Sequence, residues 1–86
     1  MRVVIDSAIP YIAGVLDRYA EVRYLPAKEI TPERVKDADA LIIRTRTRCN
    51  ATLLNRSTIK IIATATIGTD HIDLDYCREH GIRVCS

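Results

Sequence analysis

The sequence predicts an α/β fold: a flavodoxin-like, five-stranded parallel sheet with strand order 2-1-3-4-5. Three observations lead there. Short apolar runs alternate along the whole chain with segments that carry helix signals. The runs are continuously apolar rather than alternating, as expected of strands whose two faces are both covered by helices. Five such runs fit within 86 residues, which suits a small doubly wound sheet.

The elements follow in order. Val3-Val4-Ile5 is a β-branched first strand that stops at Asp6. Pro10 sits where a first helical turn accepts it, and Ile12, Val15, Leu16 and Tyr19 share one helix face. Val22, Tyr24 and Leu25 form a second strand, closed by Pro26. Thr31-Pro32-Glu33 reads as a helix start, with a capping hydroxyl, a first-position proline and an early acid. That helix is brief, because the third strand begins at Ala40-Leu41-Ile42-Ile43. Asn50 caps a turn of helix carrying Leu53 and Leu54, and Ile59 to Thr66 is the fourth strand. Asp73 caps a helix over Leu74 to His80, with Asp75 early and Arg78 late, as the helix dipole favours. Gly81 then stands in the place of a C′ glycine, before a fifth strand over Ile82-Arg83-Val84-Cys85. No internal repeat or linker divides the chain, so it reads as one domain.

Composition narrows the function classes. Thirteen basic and 11 acidic residues leave a net charge of +2, too small by itself to indicate nucleic acid or a membrane surface. No apolar run approaches the roughly 20 residues of a bilayer span. The opening Met1-Arg2-Val3-Val4-Ile5-Asp6 meets an acid too early for a signal peptide, so a cytoplasmic location is expected. With no Trp and no Phe, the core must be aliphatic. Cys49, Cys77 and Cys85 show neither Cys-x-x-Cys spacing nor a histidine placed to complete a zinc site. They read as reduced thiols behaving as small apolar residues.

Ligands of open α/β sheets bind beyond the carboxyl ends of the strands. Here those ends carry Asp6-Ser7, the loop Arg44-Thr45-Arg46-Thr47-Arg48, the turn Thr66-Ile67-Gly68-Thr69-Asp70, and Ser86. Strands three and four are neighbours in the expected order, so their loops face each other. Arginine's planar fork matches carboxylate and phosphate, which makes the Arg/Thr loop either an anion pocket or a solvated basic loop. A strand, a glycine turn and a short helix start leave backbone N–H groups available to an anion. Asp6 could be a phospho-acceptor or metal carboxylate, but capping the helix near Pro10 is the preferred role. Asp70 suits a local turn bond, His71 a structural place, and His80 the surface. The three glycines, Gly14, Gly68 and Gly81, cannot compose Gly-x-Gly-x-x-Gly or a phosphate-binding Gly-x-x-x-x-Gly-Lys.

The string Thr64-Ala65-Thr66-Ile67-Gly68-Thr69-Asp70-His71-Ile72-Asp73 resembles the D-isomer-specific 2-hydroxyacid dehydrogenases. So do Val4-Ile5-Asp6 with Ile9-Pro10-Tyr11, Asp37-Ala38-Asp39-Ala40-Leu41 leading into Arg44-Thr45, and the Asn50, Leu53, Leu54 set. Within that family the chain is most similar to the members that act on 4-phosphoerythronate, in pyridoxal phosphate biosynthesis. The resemblance covers all 86 residues.

It implies an NAD-dependent oxidation of the 2-hydroxyl to the 2-oxo acid, by a cytoplasmic homodimer acting on a small phosphorylated 2-hydroxy acid. Residues 1–86 would be the N-terminal part of the substrate (catalytic) domain, a flavodoxin-like lobe. The dinucleotide lobe and the family's catalytic Arg, Glu and His would all lie downstream, leaving this chain inactive alone. Substrate contacts are implied at Thr45 and Thr66, with Arg44, Arg46 and Gly68 beside them. Thr45 stands where the subfamily commonly has Ser. Three arginines, Arg44, Arg46 and Arg48, exceed the subfamily's usual number, leaving open which one meets phosphate.

Two other classes are expected to fail. A receiver-type signalling domain needs an acidic pair after strand one and an aspartate ending strand three, where this chain has Asp6-Ser7 and Arg44. A nucleic-acid module would interleave its basic residues with aromatics, whereas threonines separate these arginines. A free-standing binding domain is the alternative reading of the same fold.

Overall fold

The computed structural model describes residues 1–86 other than Tyr11, Thr66, Ile67 and Ser86. Five strands, β1 (Arg2–Asp6), β2 (Glu21–Leu25), β3 (Ala40–Ile43), β4 (Ile61–Thr64) and β5 (Arg83–Cys85), form one sheet. Its order is β2-β1-β3-β4-β5, and every neighbouring pair is parallel. This is the predicted architecture and order. Helices α1 (Pro32–Val35), α2 (Ala51–Leu54) and α3 (Leu74–Glu79) supply the connections after β2, β3 and β4.

The sheet's two faces are covered unequally. Val4, Leu41, Ile43 and Ile62 point to one face, where they pack with Val35 of α1, Leu53 and Leu54 of α2, and Cys77 of α3. Val3, Ile5 and Ala40 point to the other, against Ile9, Ile12 and Leu16 of the β1–β2 connection. Topology explains the division. Crossovers between parallel strands are right-handed, so a connection stepping toward one edge must lie on the opposite face from those stepping toward the other. Only β1 to β2 steps away from β5.

That connection is where the structure departs from the sequence reading. Among its described residues, 7 to 20, turns replace the expected helix, so helices cover only one face. Gly14 adopts φ +84°, outside the helical region. Its N–H donates 2.9 Å to the Tyr24 hydroxyl, which donates 2.8 Å to Asp17 Oδ1. Ile12 and Leu16 are half-buried, whereas Val15 and Tyr19 are exposed at 54% and 75%. The spacing of apolar residues was real, but its face does not close.

The caps follow the sequence with one exception. Asn50 Oδ1 accepts from Leu53 N–H at 3.2 Å, and Asp73 Oδ1 from Tyr76 N–H at 3.0 Å. Thr31 occupies the N-cap of α1, yet its hydroxyl makes no capping bond. Helix α3 ends at Glu79, one residue short of expectation, and Gly81 takes φ +69° after it. The fourth strand is shorter than predicted, Ile61–Thr64 rather than 59–66. No helix among the described residues is long and apolar enough to cross a membrane.

Candidate functional site

The carboxyl edge is built by the loops after β3 and β4, and these are stitched together. Ala65 N–H donates to Ile43 O at 2.9 Å, continuing the β3–β4 ladder one step past β4. Farther out, Cys49 N–H donates to His71 O, and Asp73 N–H to Cys49 O, both at 2.8 Å. This forms an isolated parallel bridge between Cys49 and Ile72. Among the described residues, a cleft of about 230 Å³ is lined by Thr45 and Arg48 of one loop and Asp70 and His71 of the other.

Cys49 anchors the outer tie and is fully buried. Burial, with a smaller contribution from neighbouring Cys77, pushes its thiol up to about 12. Burial, then the charge of Asp73, also raises Cys77. Both act as core residues, as expected of them, whereas Cys85 is exposed. Among the described residues no group of three or more His, Cys, Asp or Glu is placed to hold a metal ion.

His71 lines the cleft but is buried, and its Nε2 shares a 3.0 Å hydrogen bond with Thr64 Oγ1, closing the β4 loop on its own strand. Its carbonyl serves the outer tie. His80 is exposed, its Nδ1 2.9 Å from Tyr76 O and its ring stacked on the Tyr76 ring.

The predicted ligand residues do not all converge. Thr45 lies in the cleft and is exposed. Arg44 is drawn back, its Nε donating 3.0 Å to Asp6 Oδ2. Asp6 is wholly buried and its Oδ1 accepts from Ala8 N–H at 2.9 Å. Asp6 therefore closes a turn rather than capping the expected helix, which is absent among the described residues, and makes an ion pair that the sequence reading missed. The strand order held the signal: β1 neighbours β3, so Asp6, the last residue of β1, and Arg44, just after β3, meet with opposite charges.

Arg46 is exposed and does not line the cleft, whereas Arg48, one of the three arginines left open for the phosphate, does. Thr47 between them is buried, and its Oγ1 has no hydrogen-bond partner among the described residues. Gly68 is exposed with no left-handed φ, and a Cβ there would meet nothing within 4 Å. Neither backbone conformation nor packing among the described residues demands glycine at that position. Thr66 lies outside the described residues.

A second hollow of about 140 Å³ opens among Arg2, Glu21, Arg23, Arg34 and Asp37. It lies at the opposite, amino edge of the sheet and mixes both charge signs, with Arg2 paired to Glu21 at 2.9 Å. Parallel sheets bind ligands at the other edge, where the Arg/Thr loop stands.

The comparisons with known proteins agree with this architecture. The sequence profile of the D-isomer specific 2-hydroxyacid dehydrogenase catalytic domain matches residues 3–86. Erythronate-4-phosphate dehydrogenase of Bacteroides fragilis is 61% identical over 83 residues, 95% of this chain and 24% of that protein. The crystal structure of the TT0316 protein of Thermus thermophilus superimposes with TM-score 0.81 at 36% identity, over 98% of this chain and 29% of that one. NAD+-bound 3-phosphoglycerate dehydrogenase of Entamoeba histolytica gives TM-score 0.79 at 27% identity, over 98% and 32%. The chain thus spans about a quarter of the length of the curated relatives it matches. With the profile matched along nearly the whole sequence and the sheet shared with solved relatives, the chain belongs to the D-isomer-specific 2-hydroxyacid dehydrogenase family, within the catalytic domain.

Proposed function

We propose that this chain is the N-terminal segment of the substrate lobe of a dehydrogenase that oxidises 4-phospho-D-erythronate at its 2-hydroxyl, in pyridoxal 5'-phosphate biosynthesis. The observation that carries the reading is the paired loop system at the carboxyl edge. Two loops tied at both ends hold an exposed threonine and an arginine around one cleft. The 61% identity to a relative named for that substrate supports the choice among hydroxy acids.

The segment's part is positioning. The Thr45 hydroxyl donates to the substrate's anionic end, and by the family resemblance Thr66 and the backbone at Gly68 do likewise. The arginines of the loop supply charge for the phosphate. Fixing the substrate against the ties of a rigid sheet edge lowers the entropic part of the barrier. Proton removal belongs to residues beyond this segment. The glycine fingerprint of a dinucleotide site is absent from these 86 residues. The nucleotide lobe lies elsewhere in the proposed enzyme, which acts as a cytoplasmic homodimer.

A receiver-type reading finds no support at Asp6, whose oxygens are both committed and wholly buried. The test is steady-state kinetics of the full-length enzyme with NAD, comparing 4-phosphoerythronate, 3-phosphoglycerate and lactate. The phosphorylated four-carbon acid should give the highest kcat/KM. Thr45→Val and Thr66→Val should each lower kcat/KM about tenfold, since a hydrogen bond to a charged group contributes about 1.5–3 kcal/mol. Unchanged kinetics in both variants would remove these residues from the site.

A further inference from the structure

We propose that Asp6 is a positioning residue for oxyanion recognition by Arg44. The proposal rests on the reading above that an anionic hydroxy acid binds at this edge. Arg44 follows the last residue of β3, and its backbone is fixed there: Ile43 O accepts from Ala65 N–H at 2.9 Å, and Arg44 O from Thr47 N–H at 3.2 Å. Its side chain is fixed by Asp6 alone among the described residues.

The geometry of that pair decides what remains of the guanidinium. Asp6 does not grip the fork with both oxygens: Oδ1 accepts from Ala8 N–H at 2.9 Å instead. Only Oδ2 reaches Arg44, and it takes Nε at 3.0 Å. The two terminal nitrogens of Arg44 make no bond to a described residue, and the side chain keeps 31% of its exposure. One end of the fork is therefore pinned while its terminal edge stays open, the edge that matches a carboxylate or phosphate bidentately. A buried ion pair is weak evidence for stability, because desolvation offsets much of its attraction.

The test uses the full-length enzyme and the variants Asp6→Asn, Arg44→Gln and the double variant. The readings are KM and kcat for 4-phosphoerythronate, inhibition constants for inorganic phosphate and for oxalate, and the thermal midpoint. Asp6→Asn keeps the Ala8 bond and the shape but removes the charge that orients the fork. It should raise KM about tenfold, the worth of a charge-assisted bond, with kcat changed less than twofold. A rise in the phosphate constant alone assigns Arg44 to the phosphate end, and a rise in the oxalate constant alone assigns it to the carboxylate end; either supports the proposal.

Arg44→Gln strands a buried carboxylate and should lower the midpoint. Adding Asp6→Asn should recover the midpoint without restoring KM, a split that a purely structural pair would not show. If Arg44→Gln raises KM while Asp6→Asn leaves it and both inhibition constants unchanged, the positioning role is overturned and the substrate reading stands. If Arg44→Gln itself leaves KM unchanged, the proposal falls together with the place assigned to the anion. Should Asp6→Asn fail to fold, the double variant set against Arg44→Gln decides. An equal KM in the two supports the proposal, and a further rise in the double variant overturns it, since Asp6 would then act independently of Arg44.

Discussion

Thr47 is the residue whose environment is least expected. It sits among arginines in a loop, yet it is 5% exposed and its hydroxyl is unpartnered among the described residues. A buried hydroxyl without a hydrogen bond costs about 1–3 kcal/mol. Valine has nearly the same shape and removes that penalty. Thr47→Val should therefore raise stability by about 1 kcal/mol, read from the urea midpoint at unchanged slope; a lowered midpoint would mean the hydroxyl is satisfied in solution. The alternation of the Arg/Thr loop was legible in the sequence, but its inside and outside were not. An extended loop would put Thr45 and Thr47 on one side. The turn closed by Thr47 N–H to Arg44 O instead leaves Thr45 exposed and Thr47 buried.

At the scale of elements, capping separates what a residue type permits from what its geometry achieves. Asp73 and Thr31 both stand at helix N-caps, and only Asp73 makes a side-chain capping bond. Asp73→Ala should cost about 1 kcal/mol, while Thr31→Ala should shift the denaturation midpoint little. Equal losses in the two variants would contradict the assigned geometry. Asp73 also donates its own N–H to Cys49 O. That backbone bond survives the substitution, so the loss measures the cap rather than the outer tie. The same distinction governs the β1–β2 connection. Its apolar spacing was correct for a helix, and the positive φ at Gly14 and the Tyr24 bond to its N–H override it.

Across the whole molecule, the core lies mainly on one face of the sheet. The larger cluster joins all three helices to Val4, Leu41, Ile43 and Ile62, and reaches Cys49 at the outer tie of the loops. The core and the candidate site thus meet at one residue, Cys49, whose side chain lies in the core and whose backbone makes the outer tie. The sign of its pH effect follows from its shift. Cys49 titrates near 12 in the fold against an ordinary value of 9.0. Unfolding at alkaline pH exposes a thiol that loses its proton, so the unfolded state binds fewer protons. Its contribution is whole below pH 9 and is lost as pH rises from 9 toward 12. Cys77 acts in the same direction. Cys49→Val should flatten the alkaline limb of stability measured by urea unfolding at a series of pH values. An unchanged limb would show that Cys49 ionises alike in both states.

The sequence by itself determined the fold class, the strand order, two of three caps and the family. Those features rest on local chemistry: runs of apolar residues, capping side chains, and one contiguous string that brings its own turn. Tertiary structure alone decided which arginine reaches the cleft, that Asp6 pairs with Arg44, that Thr47 is buried and that, among the described residues, one sheet face lacks a helix. Each of these depends on residues far apart in the chain meeting across neighbouring strands or loops. Sequence spacing specifies what a segment can do, and the packing of one strand beside another selects which of those possibilities is realised.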